Sequence, residues 1–139
     1  MNDPRMQRPI FDPMMLEGEN RVDEDGKAHA GSKLAAGTPI ATETDVIAAL
    51  QTVYDPEIPV NIYDLGLIYQ LSIDPDGTAR ILMTLTAPGC PVAGILPGQV
   101  ADAAASVPGI GEVEVQLTWD PPWDKSRMSE VAQLELGMY

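Results

Sequence analysis

The sequence predicts an α+β fold. It is a single small domain of element order α-β-β-α-β-α, with a mixed three-stranded sheet packed on helices on one face. Residues 42–139 form that domain, preceded by a flexible N-terminal extension over residues 1–41. Three observations predict it. Three stretches alternate apolar and polar residues, the pattern of a sheet with one buried face. Between and around them, apolar residues recur at helical spacing. A tight turn joins the first two strands, whereas a long helical segment separates the second from the third.

Residues 1–42 mix Pro, Gly, Asp and Glu with few large apolar residues, which fits an extension without a core of its own. Met14-Met15-Leu16 is its one sticky spot. His29, the only histidine, lies among small residues there and is a poor general base or metal ligand. Order begins at Thr42, a threonine followed by acids, which suits a helix start. Val46, Ile47, Leu50, Val53 and Tyr54 then mark a helix over about residues 43–54, ended by Asp55-Pro56.

The loop Asp55-Pro56-Glu57-Ile58-Pro59-Val60-Asn61-Ile62-Tyr63-Asp64 follows. It is longer and richer in carboxylates than a plain connection needs. Residue by residue, turn and cap chemistry explains it best, with Asp and Asn bonding to nearby amides. Leu65, Leu67, Tyr69, Leu71 and Ile73 form the core face of the first strand, and Asp74-Pro75-Asp76-Gly77 turns the chain. Ala79, Ile81, Met83 and Leu85 form that of the second, and Val113, Val115, Leu117 and Trp119 that of the third.

Between the second and third strands a helix is expected from about Pro91 to Val107, kinked or divided at Pro97-Gly98. Such a crossover lets its two strands run parallel. Trp119-Asp120-Pro121-Pro122-Trp123-Asp124 cannot continue a central strand. Its two tryptophans predict a packed lid or an interface. Ser126 or Ser129 then caps a last helix over residues 130–136.

The formal charge is −13. Residues 1–42 carry seven acids and five bases, and residues 43–139 carry fourteen acids and only Arg80, Lys125 and Arg127 as bases. Such a surface repels phosphate backbones, which argues against nucleic-acid binding and leaves basic partners or cations. No apolar run approaches the roughly 18 residues of a membrane span. The N-terminus lacks the pattern of a secretory signal. A single cysteine excludes an intramolecular disulfide framework, and the chain reads as cytoplasmic.

That cysteine, Cys90, precedes a proline suited to a first helical position, which makes it a candidate N-cap. Amides at a helix N-terminus favour thiolate, so the position suits metal or sulfur chemistry; an inert buried cysteine is the alternative. A Cys–His nucleophile pair is disfavoured, because the one histidine lies in the extension. Neither a nucleotide-phosphate loop nor a closed zinc site has its residues here. One thiol also cannot hold an iron–sulfur cluster alone. What remains is a carboxylate loop, two hydroxyls (Thr84 and Thr86) and Cys90. A hairpin turning at residues 74–77 places residues near 64–67 opposite those near 84–87, which brings Asp64 close to Thr86 and Cys90.

Residues 55–69 and the stretch Thr84-Leu85-Thr86-Ala87-Pro88-Gly89-Cys90-Pro91 resemble the two signatures of the SufT/PaaD-like iron–sulfur cluster assembly domain family. The resemblance covers about residues 43–125. It implies a small α/β domain and a polar cluster of Asp55, Glu57, Asn61, Asp64, Thr84, Thr86 and Cys90 that contacts a cluster or a partner, with Cys90 the reactive thiol and a transient metal ligand. The C-terminal stretch, Trp119 to Trp123 with Leu134-Glu135-Leu136-Gly137-Met138, resembles the SufT branch in particular. PaaD-like accessory proteins of oxygenase systems usually carry further cysteines, which this chain lacks. Pro97-Gly98 departs from the continuous helix common in relatives.

The resemblance therefore implies a non-enzymatic maturation factor that assists cluster delivery or insertion into client proteins. Iron–sulfur assembly proteins and client apo-proteins are the expected partners, with no nucleic acid or membrane. The cluster or iron would be held transiently, shared across a homodimer or with a partner, because one thiol per chain is too few. A thiol-dependent enzyme or redox sensor using Cys90, and a PaaD-like accessory subunit of an oxygenase, are the alternatives.

Overall fold

A computed structural model of the 139-residue chain describes residues 22–23, 26–55, 58–86 and 95–136. Strands β1 (Lys27–Ala30), β2 (Ile68–Ile73), β3 (Ala79–Met83) and β4 (Val113–Leu117) form one mixed sheet of order β1-β4-β3-β2. Helices α1 (Glu43–Leu50), α2 (Leu96–Ala105) and α3 (Glu130–Glu135) complete the fold, with a 3-10 helix, Lys125–Arg127, before α3.

The period-two pattern forms the sheet as expected. β2 and β3 pair antiparallel around the turn at residues 74–77, and β3 and β4 pair parallel across α2. Ala79, Ile81, Met83, Val113 and Val115 are buried, and they pack with Val46 and Leu50 of α1 and Val100 and Ala104 of α2 in one core. Burying each large apolar side chain there stabilises the fold by roughly 1.5–3 kcal/mol.

Four differences from the sequence expectation have local causes. The sheet has four strands, not three, because Lys27–Ala30 lies within the stretch expected to be an extension and pairs antiparallel with β4. Only Ala28 of that strand is buried, so it carries almost no hydrophobic signal. Secondly, α1 stops at Leu50 rather than near residue 54, although Thr42 caps it with the full reciprocal box to Asp45. Beyond it Val53 accepts the Ile62 amide at 2.8 Å and Tyr54 bridges Asn61, so this stretch pairs instead of coiling. Tyr54 is consequently exposed.

Thirdly, α2 starts at Leu96, with Ile95 as its N-cap and Pro97 in its first turn, so proline opens this helix and does not kink it. Residues 91–94 of the expected helix lie outside the described residues. Finally, Trp119 is 41% exposed, because β4 ends at Leu117 and the alternation stops there.

After β4 the chain straps back over the start of β2. Trp123 donates its indole N–H to the Leu65 carbonyl at 2.7 Å, and Tyr69 donates its hydroxyl to the Pro121 carbonyl at 2.7 Å. Arg127 lies over the Tyr69 ring, 4.5 Å from its centroid. The Ser129 amide donates to the Asp64 carbonyl at 2.8 Å, and the Ser129 hydroxyl caps α3. Gly66, at φ +83°, lies so close to the strap that a Cβ would sit 2.2 Å from the Arg127 carbonyl oxygen. The lid expected from two tryptophans therefore describes Trp123 but not Trp119.

Three outcomes are expected. Ala28→Glu places a carboxylate in the core and should destabilise the chain by about 2 kcal/mol or more. Hydrogen exchange should then accelerate at the Leu117 amide, which donates to the Gly26 carbonyl, and spare the β2–β3 bonds. Gly66→Ala combines a left-handed backbone with a clash against main chain, and should cost about 2 kcal/mol or more in urea unfolding. Hydrogen bonds from the Ser126 hydroxyl and amide hold the Asp124 carboxyl below the usual carboxylate range. A carboxyl so depressed stabilises the fold above its unfolded pKa and loses that contribution as pH falls through its folded pKa. The turn at residues 124–127 should hence loosen below about pH 4, read by the Ser126 amide resonance, and Asp124→Asn should abolish that step.

Candidate functional site

The candidate site is built where β2 begins and β3 ends. The Thr84 amide donates to the Leu67 carbonyl at 2.9 Å on one side of β3, and the Thr118 amide donates to the Met83 carbonyl at 2.8 Å on the other. Strand β3 is thus held between neighbours to its last residue. The hairpin places Leu67 opposite Thr84, in the register expected from the sequence.

Upstream of Leu67 the polar loop folds on itself. Asn61 accepts the Asp64 amide on its Oδ1 at 2.8 Å and donates its amide nitrogen to Asp64 Oδ2 at 2.7 Å. The Leu65, Gly66 and Leu67 amides donate to the carbonyls of Asn61, Tyr63 and Ile62. Asp55 is buried and accepts the Ile58 amide on Oδ1 at 3.2 Å, and the Asp55 amide donates to the Val60 carbonyl at 3.4 Å. This is the cap and turn chemistry expected of each residue singly. It makes Asp55, Asn61 and Asp64 one small unit that leads directly into the strand beside Thr84.

The two hydroxyls differ. Alternation puts Thr84 and Thr86 on the face opposite the core, yet Thr84 is completely buried and Thr86 only half-buried. Thr84 Oγ1 is the one buried side-chain oxygen or nitrogen without a hydrogen-bond partner among the described residues. Such an atom costs about 1–3 kcal/mol relative to a satisfied one, so its presence calls for a reason. Cys90 and Glu57 lie outside the described residues. So does any Cys90–Asp64 proximity, whereas the N-cap of α2 is Ile95, five residues beyond Cys90, and not Cys90 as expected.

Among the described residues no group of three or more His, Cys, Asp or Glu is placed to hold a metal ion. They offer one orphaned hydroxyl and a turn whose carboxylate is already bonded, which is no closed cage. No helix among them is long and apolar enough to cross a membrane. His29 is exposed on β1, 3.8 Å from Asp23, remote in role from this unit. Sequence reasoning missed the strap contacts of Tyr69, Arg127 and Ser129 with the turn at residues 61–66. The paired tryptophans were their only signal.

Comparison with known proteins identifies the setting. The profile of the family described as iron–sulfur cluster assembly protein matches residues 43–117. A protein of Porphyromonas gingivalis, named an Fe-S protein maturation auxiliary factor, is 51% identical over 98 residues, covering 70% of this chain and 93% of that protein. The Bacillus subtilis Fe-S protein maturation auxiliary factor YitW is 42% identical, covering 70% of this chain and 96% of that protein. The fold resembles the crystal structure of a domain of unknown function from Bacillus anthracis, with a TM-score of 0.65 and 42% identity over 70% of this chain and 92% of that one. With its central residues matched and its relatives spanned nearly end to end, the chain belongs to the iron–sulfur cluster assembly protein family.

Proposed function

We propose that this chain is a non-catalytic maturation factor of the cytoplasm, which assists delivery or insertion of iron–sulfur clusters into client apo-proteins. The observation that carries the reading is the family match over the residues that build the site, joined to relatives named as maturation auxiliary factors. Other relatives are named iron–sulfur cluster carrier proteins, among them one from Synechocystis that is 32% identical over 61% of this chain but only 24% of that protein. In this reading the cluster, or its iron, is cargo. Cys90 touches it transiently, and Asp55, Glu57, Asn61, Asp64, Thr84 and Thr86 contact cargo or partner around it. One thiol leaves the remaining ligands to a partner, to the client or to a second copy.

The single thiol of the chain supports transient contact over storage. The carboxylate of Asp64 is engaged by Asn61. The Thr84 hydroxyl, which has no partner among the described residues, can donate to a sulfur or oxygen that arrives with the cargo.

The test is client activation. Wild type, Cys90→Ser and Thr84→Val are each mixed anaerobically with an apo-client, iron and sulfide, and client activity is followed. Cys90→Ser should lower activation at least about tenfold, the loss of one essential contact. Thr84→Val should lower activation while leaving stability unchanged or raising it by about 1 kcal/mol, because it removes an unpaired hydroxyl. Equal activation by all three proteins overturns the reading.

A further inference from the structure

The edge strand β2 carries a second, separate feature. Beyond a bulge at Tyr69, Gln70 faces Leu82, Leu71 faces Ile81, Ser72 faces Arg80 and Ile73 faces Ala79. The Asp74 amide donates to the Thr78 carbonyl at 2.8 Å. Hydrogen-bonded positions recur at every second residue of an antiparallel ladder, so Ser72 and Gln70 also bond to β3. Leu71 and Ile73 therefore turn their N–H and C=O groups outward. No backbone among the described residues pairs with them.

The two edges of the sheet are guarded differently. β1 is four residues long and carries Lys27, paired with Glu114, and His29 beside Asp23. Short length and charge are common means of blunting an edge. In β2 the strap covers only the start, through Tyr69, Pro121 and Arg127. The rest of Ile68–Ile73 has no charged residue and no proline. Its core-side residues are also poorly covered. Leu71 and Ile73 are half-buried, whereas Ile81 and Val115, on the same face further in, are 3% and 0% exposed. One more strand would satisfy the outward backbone groups and finish that cover at once.

We propose that the free edge of β2 at Leu71–Ile73 accepts an extended segment of a partner protein, with alternating apolar residues and basic residues at its two ends. Charge selects the occupant. Asp74 and Asp76 lie at one end of the edge, and Asp120 lines the cleft beside Tyr69 at the other. Arg80 and Asp74 neutralise each other and Arg127 keeps its charge over the Tyr69 ring, so the preference for basic ends rests on Asp76, Asp120 and the formal charge of −13 of the whole chain. A second copy would bring another formal charge of −13 to the contact, which opposes self-pairing. Main-chain bonds would supply affinity, and alternate side chains and flanking charge would supply selectivity. The inference does not rest on the maturation reading.

The test uses the full chain labelled with nitrogen-15, hydrogen exchange read by NMR, and as probe the acetylated, amidated heptapeptide Lys-Val-Thr-Val-Thr-Val-Lys. In the free protein the Gln70 and Ser72 amides should be protected and the Leu71 and Ile73 amides should exchange rapidly. Peptide at about nine times its Kd should slow Leu71 and Ile73 about tenfold, as linkage requires. The same peptide with Glu at both ends should bind several-fold more weakly, and added salt should narrow that gap. No selective protection at about 1 mM peptide overturns the proposal, as does equal protection by the Glu-ended peptide. Protection of Leu71 and Ile73 without peptide also overturns it. If independent of protein concentration, that protection assigns the edge to another part of this chain; if it rises with concentration, to a second copy.

Discussion

The bond from the Thr84 amide to the Leu67 carbonyl holds the candidate site together. Upstream of Leu67 is the turn that carries Asn61 and Asp64. Downstream of Thr84, Cys90 follows six residues on in the sequence. The bond exists because β3 is an interior strand, with β2 on one side and β4 on the other. A slip of one residue would send Ile81 and Met83 to the open face and bring Arg80 into the core. The hydrophobic register of β3 thus fixes which residue of the first motif meets which residue of the second.

The strap supplies the second constraint. It lies beyond the matched family region, which ends at residue 117, yet it fixes the turn from three directions. Trp123 takes the Leu65 carbonyl, Ser129 takes that of Asp64, and the Arg127 main chain fills the space that a side chain on Gly66 would need. Leu65 and Gly66 could otherwise move as a loop. Held from both sides, they start β2 at a defined angle.

The sequence was most legible where structure is local or periodic. Thr42 announced its capping box, Ser129 its helix, and the odd-numbered residues of β3, with Val113 and Val115 of β4, their burial. It was least legible where tertiary pairing decides. Lys27–Ala30 has one buried residue, so nothing in its pattern marks a strand; β4 makes it one. Val53 and Tyr54 continue a helical spacing, but the pairing of Val53 with Ile62 takes them away from the helix. Pro97 reads as a break only if the helix has already begun, and a start at Leu96 turns the same residue into an ordinary first-turn proline. At the candidate site the roles of Asp55, Asn61 and Asp64 as turn and cap residues could be read directly. The burial of Thr84 could not, because simple alternation assigns it to the open face.

Thr84 separates structural need from binding. Asp55 is almost equally buried, and its carboxylate accepts the Ile58 amide, a local turn bond that folding alone explains. Thr84 lies at the end of the central strand with no partner for its hydroxyl among the described residues, where valine would fill nearly the same space without the desolvation cost. A chain shaped by packing alone has no use for that oxygen. A chain that receives cargo there does, since an unengaged donor beside an arriving sulfur or oxygen lowers the cost of desolvating both. Local rules are broken most readily at sites that bind, so the orphaned hydroxyl supports a cargo-contacting end of the sheet.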